Sequence, residues 1–259
     1  VPADNVVKII NPLGEENSIM RTNMLSSVIK TLKINYNRRV PKAKIFELGM
    51  TYIPVENQKL PDEKIVVALG MYGDVDFFDL KGIVQNLLDD LGIKNAEFEA
   101  DTESPAYHPG RCAKICAGGK IIGTIGQLHP DIAENFKLDT DIYCGELDFN
   151  TIMEFSTFER EYKSLPKFPA SNRDIALVID KSISVGKIEK ILNDTKHGIL
   201  ESYKLFDVYE GQQVGENKKS VAYSLTFRAP DRTLTDNEIN DVLNNILEKL
   251  KNCLGAELR

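Results

Sequence analysis

From Arg173 to the last residue, the elements readable from the residues run strand, helix, strand, strand, helix, strand. Arg173 to Asp180, Leu200 to Tyr209 and Ser220 to Arg228 are rich in β-branched and aromatic residues and alternate in polarity. Ser184 to Asp194 and Thr235 to Cys253 place apolar residues at helical spacing, and a short strand closes the chain. Spread over roughly 95 residues, that βαββαβ order is the split arrangement in which two helices cover one face of a four-stranded sheet.

In this βαββαβ region, the ferredoxin-like order, alternation sorts each of the three long strands into a buried and an open side. Ile175, Leu177 and Ile179, then Phe206 and Val208, then Val221, Tyr223, Leu225 and Phe227 are expected beneath the helices. The opposite face is then expected to carry Ala176, Val178, Leu205, Asp207, Tyr209, Ser220, Ala222, Ser224, Thr226 and Arg228. Small polar side chains around one aromatic suit an unstacked base, with Tyr209 as the stacking ring and Asp207 as an acceptor for a base edge. The same pattern also describes an ordinary solvated sheet face.

The chain before this region reads differently. A long amphipathic helix is expected over roughly 20 to 38 from the spacing of Met20, Met24, Leu25, Val28, Ile29 and Leu32, its stripe facing either its own sheet or a partner. Strands are expected over Lys44 to Ile53 and Lys64 to Met71, and a second helix from Asp76 to Leu91. Arg111 to Cys116 and Ile121 to Leu128 flank Gly118-Gly119 as a hairpin, a short helix opens at His129-Pro130, and a strand covers Ile142 to Phe149. The whole is α+β: a mainly antiparallel domain over 1–160, a proline-bearing linker over 161–168, and the βαββαβ domain over 169–259.

Net charge is −7 and uneven. From Ser164 onward 14 basic residues balance 14 acidic ones, so the first 163 residues hold 18 against 25. A chain-wide basic field for nucleic acid is excluded, and any RNA contact must be local or shared. No apolar run reaches the ~20 residues of a membrane span. Cys112, Cys116, Cys144 and Cys253 fit a reducing cytosol better than a disulfide scaffold. Cys112 and Cys116, four apart in an expected strand, lie ~13 Å apart at ~3.3 Å per residue and cannot share a zinc ion. His108 and His129 precede prolines and read as loop-shaping residues, and Gly118-Gly119-Lys120 lacks the spacing of a phosphate loop. Val6 to Ile10 runs straight into Asn11-Pro12, which reads as entry in mid-structure and as a piece of a longer polypeptide.

Phe168-Pro169-Ala170, Arg173-Asp174-Ile175-Ala176, Leu205-Phe206-Asp207-Val208-Tyr209-Glu210-Gly211, Lys218-Lys219-Ser220 and Asp231-Arg232-Thr233-Leu234-Thr235-Asp236 resemble, in order and spacing, the C-terminal anticodon-binding domain of bacterial phenylalanyl-tRNA synthetase β subunits. Asn11-Pro12-Leu13, Met20-Arg21-Thr22-Asn23-Met24-Leu25, Ile45-Phe46-Glu47-Leu48-Gly49, Phe77-Phe78-Asp79-Leu80-Lys81-Gly82, Tyr107-His108-Pro109-Gly110-Arg111 and Ile125-Gly126-Gln127-Leu128-His129-Pro130 extend the likeness to the first domain. The resemblance implies a degenerate class II synthetase catalytic fold followed by an anticodon-binding module. It also implies an α2β2 assembly in the cytoplasm with a catalytic α subunit that holds ATP and Mg2+, and tRNA(Phe) as the nucleic-acid partner. Anticodon contacts are expected from Ala176, Asp207, Tyr209 and Ser220. Arg173, Arg228 and Arg232 are added as backbone contacts because guanidinium suits phosphate, although Arg232 also reads as a brace for the last helix.

Adenylate formation requires arginines against ATP phosphates. The segment Gly126 to Ile132 has none, and Arg21 and Arg111 are the remaining candidates, each with acidic surroundings that offer a structural role. The chain is therefore expected to hold no catalytic residue, metal or cofactor of its own. Two rivals stand beside that reading: an active class II adenylate-forming enzyme, and a ferredoxin-like module that binds a small regulatory molecule.

Overall fold

The computed structural model describes residues 6–94, 96–160, 162, 164–195 and 198–259. The chain divides into two compact units, residues 1–160 and 161–259. Of the expected linker, residues 161 and 163 lie outside the described set, and 164–170 form neither helix nor strand.

The first unit is a six-stranded antiparallel sheet with helices on both faces. Its elements are α1 (Leu25–Asn37), β1 (Ala43–Ile53), β2 (Asp62–Tyr72), α2 (Phe77–Asp90), β3 (Glu97–Ala100), β4 (Tyr107–Ala117), β5 (Lys120–Leu128), α3 (Pro130–Asn135), β6 (Ile142–Asp148) and α4 (Phe149–Phe155). The strands lie in the order β1-β2-β6-β5-β4-β3. α1 starts later than its periodicity suggests. Met20 N–H bonds to the Val7 carbonyl, and Ile9 N–H to that of Ser18, so residues 18–20 pair with 7–9 instead of coiling. The helix begins where the Glu146 carboxylate of β6 accepts from the Met24 and Leu25 amides. A carboxylate at that end serves the orphan amides and the positive end of the macrodipole together.

Between the described α1 and the sheet lies one apolar core, with Met24, Val28, Ile29 and Leu32 against Ala68, Tyr72, Cys112 and Cys144. The stripe of α1 therefore faces its own sheet. A second core, Leu80, Val84 and Leu88 against Leu69, Ile115, Ile125, Tyr143 and Leu147, fills the opposite face under α2 and α4. α2 opens on a capping box, with the Asp76 side chain accepting from the Phe78 and Asp79 amides at 2.7 and 3.0 Å. The β4–β5 hairpin turns at Gly118 and Gly119, whose φ values of +55° and +78° are strained for any residue with a Cβ. Two elements went unanticipated. β3 is only four residues long with two glutamates, and α4 follows β6 without a loop, at Asp148, whose side chain accepts from the Thr151 amide at 2.9 Å.

The second unit consists of β7 (Ser171–Asp180), α5 (Val185–Thr195), β8 (Leu200–Tyr209), β9 (Lys218–Phe227), α6 (Asp236–Leu254) and β10 (Glu257–Leu258). Its antiparallel sheet runs β10-β7-β9-β8. Ile175, Leu177, Ile179, Val221, Tyr223, Leu225 and Phe227 meet Ile188 and Leu192 of α5 and Ile239, Ile246 and Leu250 of α6 in one core. α6 begins at a Thr235–Glu238 capping box and ends at Gly255, which has φ +62°.

β8 departs from simple alternation. The register passes from Leu205↔Tyr223 to Asp207↔Ala222, leaving Phe206 as a bulge. An extra residue reverses which parity faces the core. Leu205, expected on the open face, thus packs against the core, whereas Phe206, expected beneath the helices, is 54% exposed. Val208 does stand opposite Val221, but at the sheet edge it remains 46% exposed.

Candidate nucleic-acid interface

Beyond the bulge, two cross-strand rows lie on the face away from α5 and α6. One is Val178–Ser220–Tyr209 and the other Ala176–Ala222–Asp207. Rows two residues apart on one face are separated by ~7 Å, and neighbouring strands by ~4.8 Å, so the patch has the dimensions of one or two bases. All four residues expected to meet an anticodon lie in these rows. Asp207 is exposed and forms no ion pair or side-chain hydrogen bond among the described residues, which leaves its oxygens open to donors.

Ser220 is on the expected face yet only 4% exposed, and Ala222 is 8% exposed. Their small side chains sit low between the neighbouring strands, and a 3-10 turn at Gln212–Val214 packs against β9. Val214 of that turn is itself buried. The accessible surface is accordingly narrower than alternation suggests: Asp207, Tyr209 and parts of Ala176 and Val178. The Tyr209 hydroxyl leans against Gly211, where a Cβ would collide with it, so glycine at that position lets the ring lie flat.

One residue of this surface was missed. The main-chain N–H of Arg259 bonds to the Ala176 carbonyl at 2.9 Å, which carries its guanidinium to 5.7 Å from the Tyr209 ring centre and 3.1 Å from Gln213 Oε1. The signal available in sequence was only a basic residue after the short closing strand.

The three other arginines are placed differently. Arg173 points to the helix side of β7, where it holds Asp236 at the start of α6 at 2.6 Å. Arg228, past the end of β9, pairs with Glu201 at 2.9 Å and donates to the Phe168 carbonyl at 2.6 Å. Arg232 bridges Asp231 and Glu238 at 3.1 and 2.6 Å. Glu238 belongs to the capping box; the Thr235 amide, then Arg232, hold its carboxyl down at about 2. None of the three is brought to the Tyr209 patch, because each is held by an acidic or carbonyl partner elsewhere in the second unit.

In the first unit Arg21 bonds to Glu47 and to the Met50 carbonyl, both at 2.8 Å. Arg111 donates to Gln127 Oε1 at 2.5 Å, and the Gln127 amide donates to Asp141 at 2.8 Å. His108 and His129 each accept a main-chain N–H through Nδ1, from Gly110 at 3.0 Å and Asp131 at 3.2 Å. The His108 contact lies inside β4, at the irregular stretch between Tyr107 and Cys112 and not in the loop expected for it, whereas that of His129 caps the start of α3. Both candidate phosphate arginines are engaged by neighbours of their own sheet.

Two family profiles cover the chain. "Phenylalanyl tRNA synthetase beta chain CLM domain" matches residues 2–149, and "Ferredoxin-fold anticodon binding domain" matches residues 166–259. Among curated proteins, the phenylalanine–tRNA ligase beta subunits of Clostridium tetani and Clostridium acetobutylicum are each 45% identical over the whole chain, which covers 33% of their length. That of Symbiobacterium thermophilum is 40% identical over the whole chain, which covers 30% of it. The chain thus spans about a third of the length of these relatives. A solved chain of a pyrrolysyl tRNA synthetase from Desulfitobacterium hafniense overlays 57% of this chain and 52% of its own at TM-score 0.46 and 12% identity, too loose a likeness to carry a conclusion. With one profile spanning most of the first unit and the other nearly all of the second, the chain belongs to the phenylalanyl-tRNA synthetase β chain family.

Proposed function

We propose that this chain is a non-catalytic part of a phenylalanine–tRNA ligase, in which the first unit supports a catalytic α subunit and the second binds the anticodon region of tRNA(Phe). In this reading the first unit is a class II synthetase-like fold without its chemistry, and the second a βαββαβ ferredoxin-like module. ATP and Mg2+ then act in the α subunit of an α2β2 assembly in the cytoplasm. The observation that carries the RNA half is the outward placement of Asp207 and Tyr209 on an uncovered sheet face, an acceptor beside a stacking ring.

The scaffold half is supported by β1, at the edge of its sheet. Phe46, Leu48 and Met50 lie along one side of it and are 77%, 54% and 37% exposed. An apolar strip on an edge strand is what a solvated protein avoids unless something covers it. The engagement of Arg21 and Arg111 by neighbouring groups supports an absence of phosphate chemistry.

Binding of a tRNA(Phe) anticodon stem-loop, compared between the chain and its Asp207→Ala and Tyr209→Ala variants, tests the RNA half; equal affinities reject it. Phe46→Asp with Leu48→Asp is expected to weaken assembly with the α subunit. ATP–pyrophosphate exchange by the chain alone would reject the non-catalytic reading in favour of an active adenylate-forming enzyme.

A further inference from the structure

Arg259 follows β10 directly and continues its register. Glu257 pairs with Val178 and Leu258 with Leu177, so the next pair across the sheet is Arg259 with Ala176, and the Arg259 amide bonds to the Ala176 carbonyl at 2.9 Å. Ala176 pairs in turn with Ala222, and Ala222 with Asp207. Residues paired across antiparallel strands share a face. A single row, Arg259–Ala176–Ala222–Asp207, therefore crosses the face away from α5 and α6, with a cation at one edge, a carboxylate at the other and two methyl groups as a floor between them. Three strand spacings set its ends ~14 Å apart at the main chain.

The Arg259 side chain reaches over that floor to the neighbouring row. Its guanidinium lies 5.7 Å from the Tyr209 ring centre and donates to Gln213 Oε1 at 3.1 Å. Both partners are neutral. The carboxylates beside it are held by lysines: Glu257, two residues earlier, by Lys218 at 3.7 Å, and Glu210, next to Tyr209, by Lys181 at 3.2 Å. Among the described residues no carboxylate pairs with Arg259, whereas Arg173, Arg228 and Arg232 are each neutralised by one.

Holding β10 in the sheet does not require this arrangement. The strand is fastened through main-chain atoms, the Arg259 amide among them, and another side chain at 259 would leave that bond in place. An open cation–π contact adds little to folding. The arrangement instead leaves a guanidinium plane, most of its N–H groups unused, poised above the Tyr209 ring. Unstacked RNA bases are held by aromatic rings and by guanidinium planes alike. A base between the two needs ~7 Å, the thickness of two contacts at ~3.5 Å. The observed 5.7 Å falls short of that by only about 1 Å. Arg259 is exposed, so rotation about its own side-chain bonds supplies the difference without moving the sheet.

Resting on the reading that the second unit binds an anticodon, we propose that Arg259 is a base-clamping residue of that site. Its guanidinium covers the base that stacks on Tyr209, so that the base is held between a ring on one side and a planar cation on the other. A clamp differs from a phosphate contact in what it requires of the side chain. Phosphate accepts any nearby positive charge, lysine included, whereas a stacked base needs the plane.

The test titrates the full chain with a tRNA(Phe) anticodon stem-loop and with three versions of it, each lacking the base at one anticodon position. Arg259→Gln is expected to weaken binding of the intact stem-loop roughly 2- to 30-fold, the range from an exposed to a desolvated cation–π contact. Arg259→Lys keeps the charge without the plane, and its affinity should lie nearer to that of Arg259→Gln than to the parent's. In one of the three abasic loops Arg259→Gln and Tyr209→Ala should both lose their effect, because each acts through the missing base. A urea midpoint of Arg259→Gln equal to the parent's shows that lost binding is not lost folding. Intact-loop affinity of Arg259→Gln equal to or above the parent's overturns the proposal, a higher value making Arg259 a lid over Tyr209. So does a penalty that persists in all three abasic loops, and its rescue by lysine would then assign the guanidinium to a phosphate. If Tyr209→Ala leaves binding unchanged, the anticodon reading and the clamp fail together; if Tyr209→Ala weakens binding and Arg259→Gln does not, the reading stands and only the clamp fails.

Discussion

The Arg259 guanidinium lies 5.7 Å from the centre of the Tyr209 ring, on the sheet face away from both helices of the second unit. The ring is 36% exposed, so it contributes to folding by partial packing as well as by an open cation–π contact of about 0.5–1 kcal/mol. A base stacked on the same ring is worth ~1–3 kcal/mol. Tyr209→Ala should therefore weaken stem-loop binding roughly 5- to 150-fold, with the lost cation–π contact and packing appearing separately as a lower unfolding free energy. Fluorescence titration together with urea denaturation separates the two effects.

Tyr223 is fully buried beneath α5 and α6, with its ring edge-on to Tyr203 at 6.1 Å, and its hydroxyl has no hydrogen-bond partner among the described residues. A buried hydroxyl of this kind costs desolvation that no bond returns. Tyr223→Phe keeps the ring packing and is expected to stabilise the second unit by about 1 kcal/mol. The expected reading is a higher denaturant midpoint at unchanged slope; a loss of stability would show that the hydroxyl is satisfied.

Burial pushes the Glu146 carboxyl above the ordinary carboxylate range, against the opposing pull of the Met24 and Leu25 amides. A folded-state value above the unfolded one means that the folded chain binds the proton more readily, so this group's contribution falls as pH rises from about 4.3 through the folded value. Asp101 works in the other direction. The Ser104 hydroxyl first, then the Glu103 amide and Lys114, lower its value, and the stability it contributes is lost as pH falls below about 4. Unfolding measured between about pH 4 and pH 7 should show a declining component that Glu146→Gln removes and Asp101→Asn leaves in place.

The four cysteines should react in a fixed order. Cys253 is exposed, Cys116 half-buried, and Cys112 and Cys144 buried. Burial raises the Cys112 thiol to about 11 and the Cys144 thiol further still, which leaves little thiolate at neutral pH. A chromogenic disulfide reagent should titrate one thiol rapidly in the native chain and release the signal of Cys112 and Cys144 only on unfolding.

Much of the second unit was legible because its strands and helices differ in apolar period, and β8 in particular runs from Leu200 to Tyr209 as its residues suggest. The outward direction of Asp207 and Tyr209 was legible as well, though partly by coincidence. Alternation read straight through β8 misplaces Leu205 and Phe206, and the bulge restores the expected side just before Asp207. In the first unit α1 was read too long because apolar spacing continues into residues that instead pair with 7–9.

By itself the sequence determined the division into two α+β units, the elements with strong periodicity, and the pairing of an acceptor with an aromatic near the end of one strand. Those features depend on neighbours a few residues away. Tertiary structure alone decided the closure of Ser220 under its neighbours, the choice of Asp236, Glu201 and Glu238 as partners for Arg173, Arg228 and Arg232, and the delivery of Arg259 to Tyr209. Each of these depends on which groups the fold brings within a few ångströms from separate elements, and for short-range hydrogen bonds and ion pairs that distance is set by three-dimensional packing and not by position along the chain.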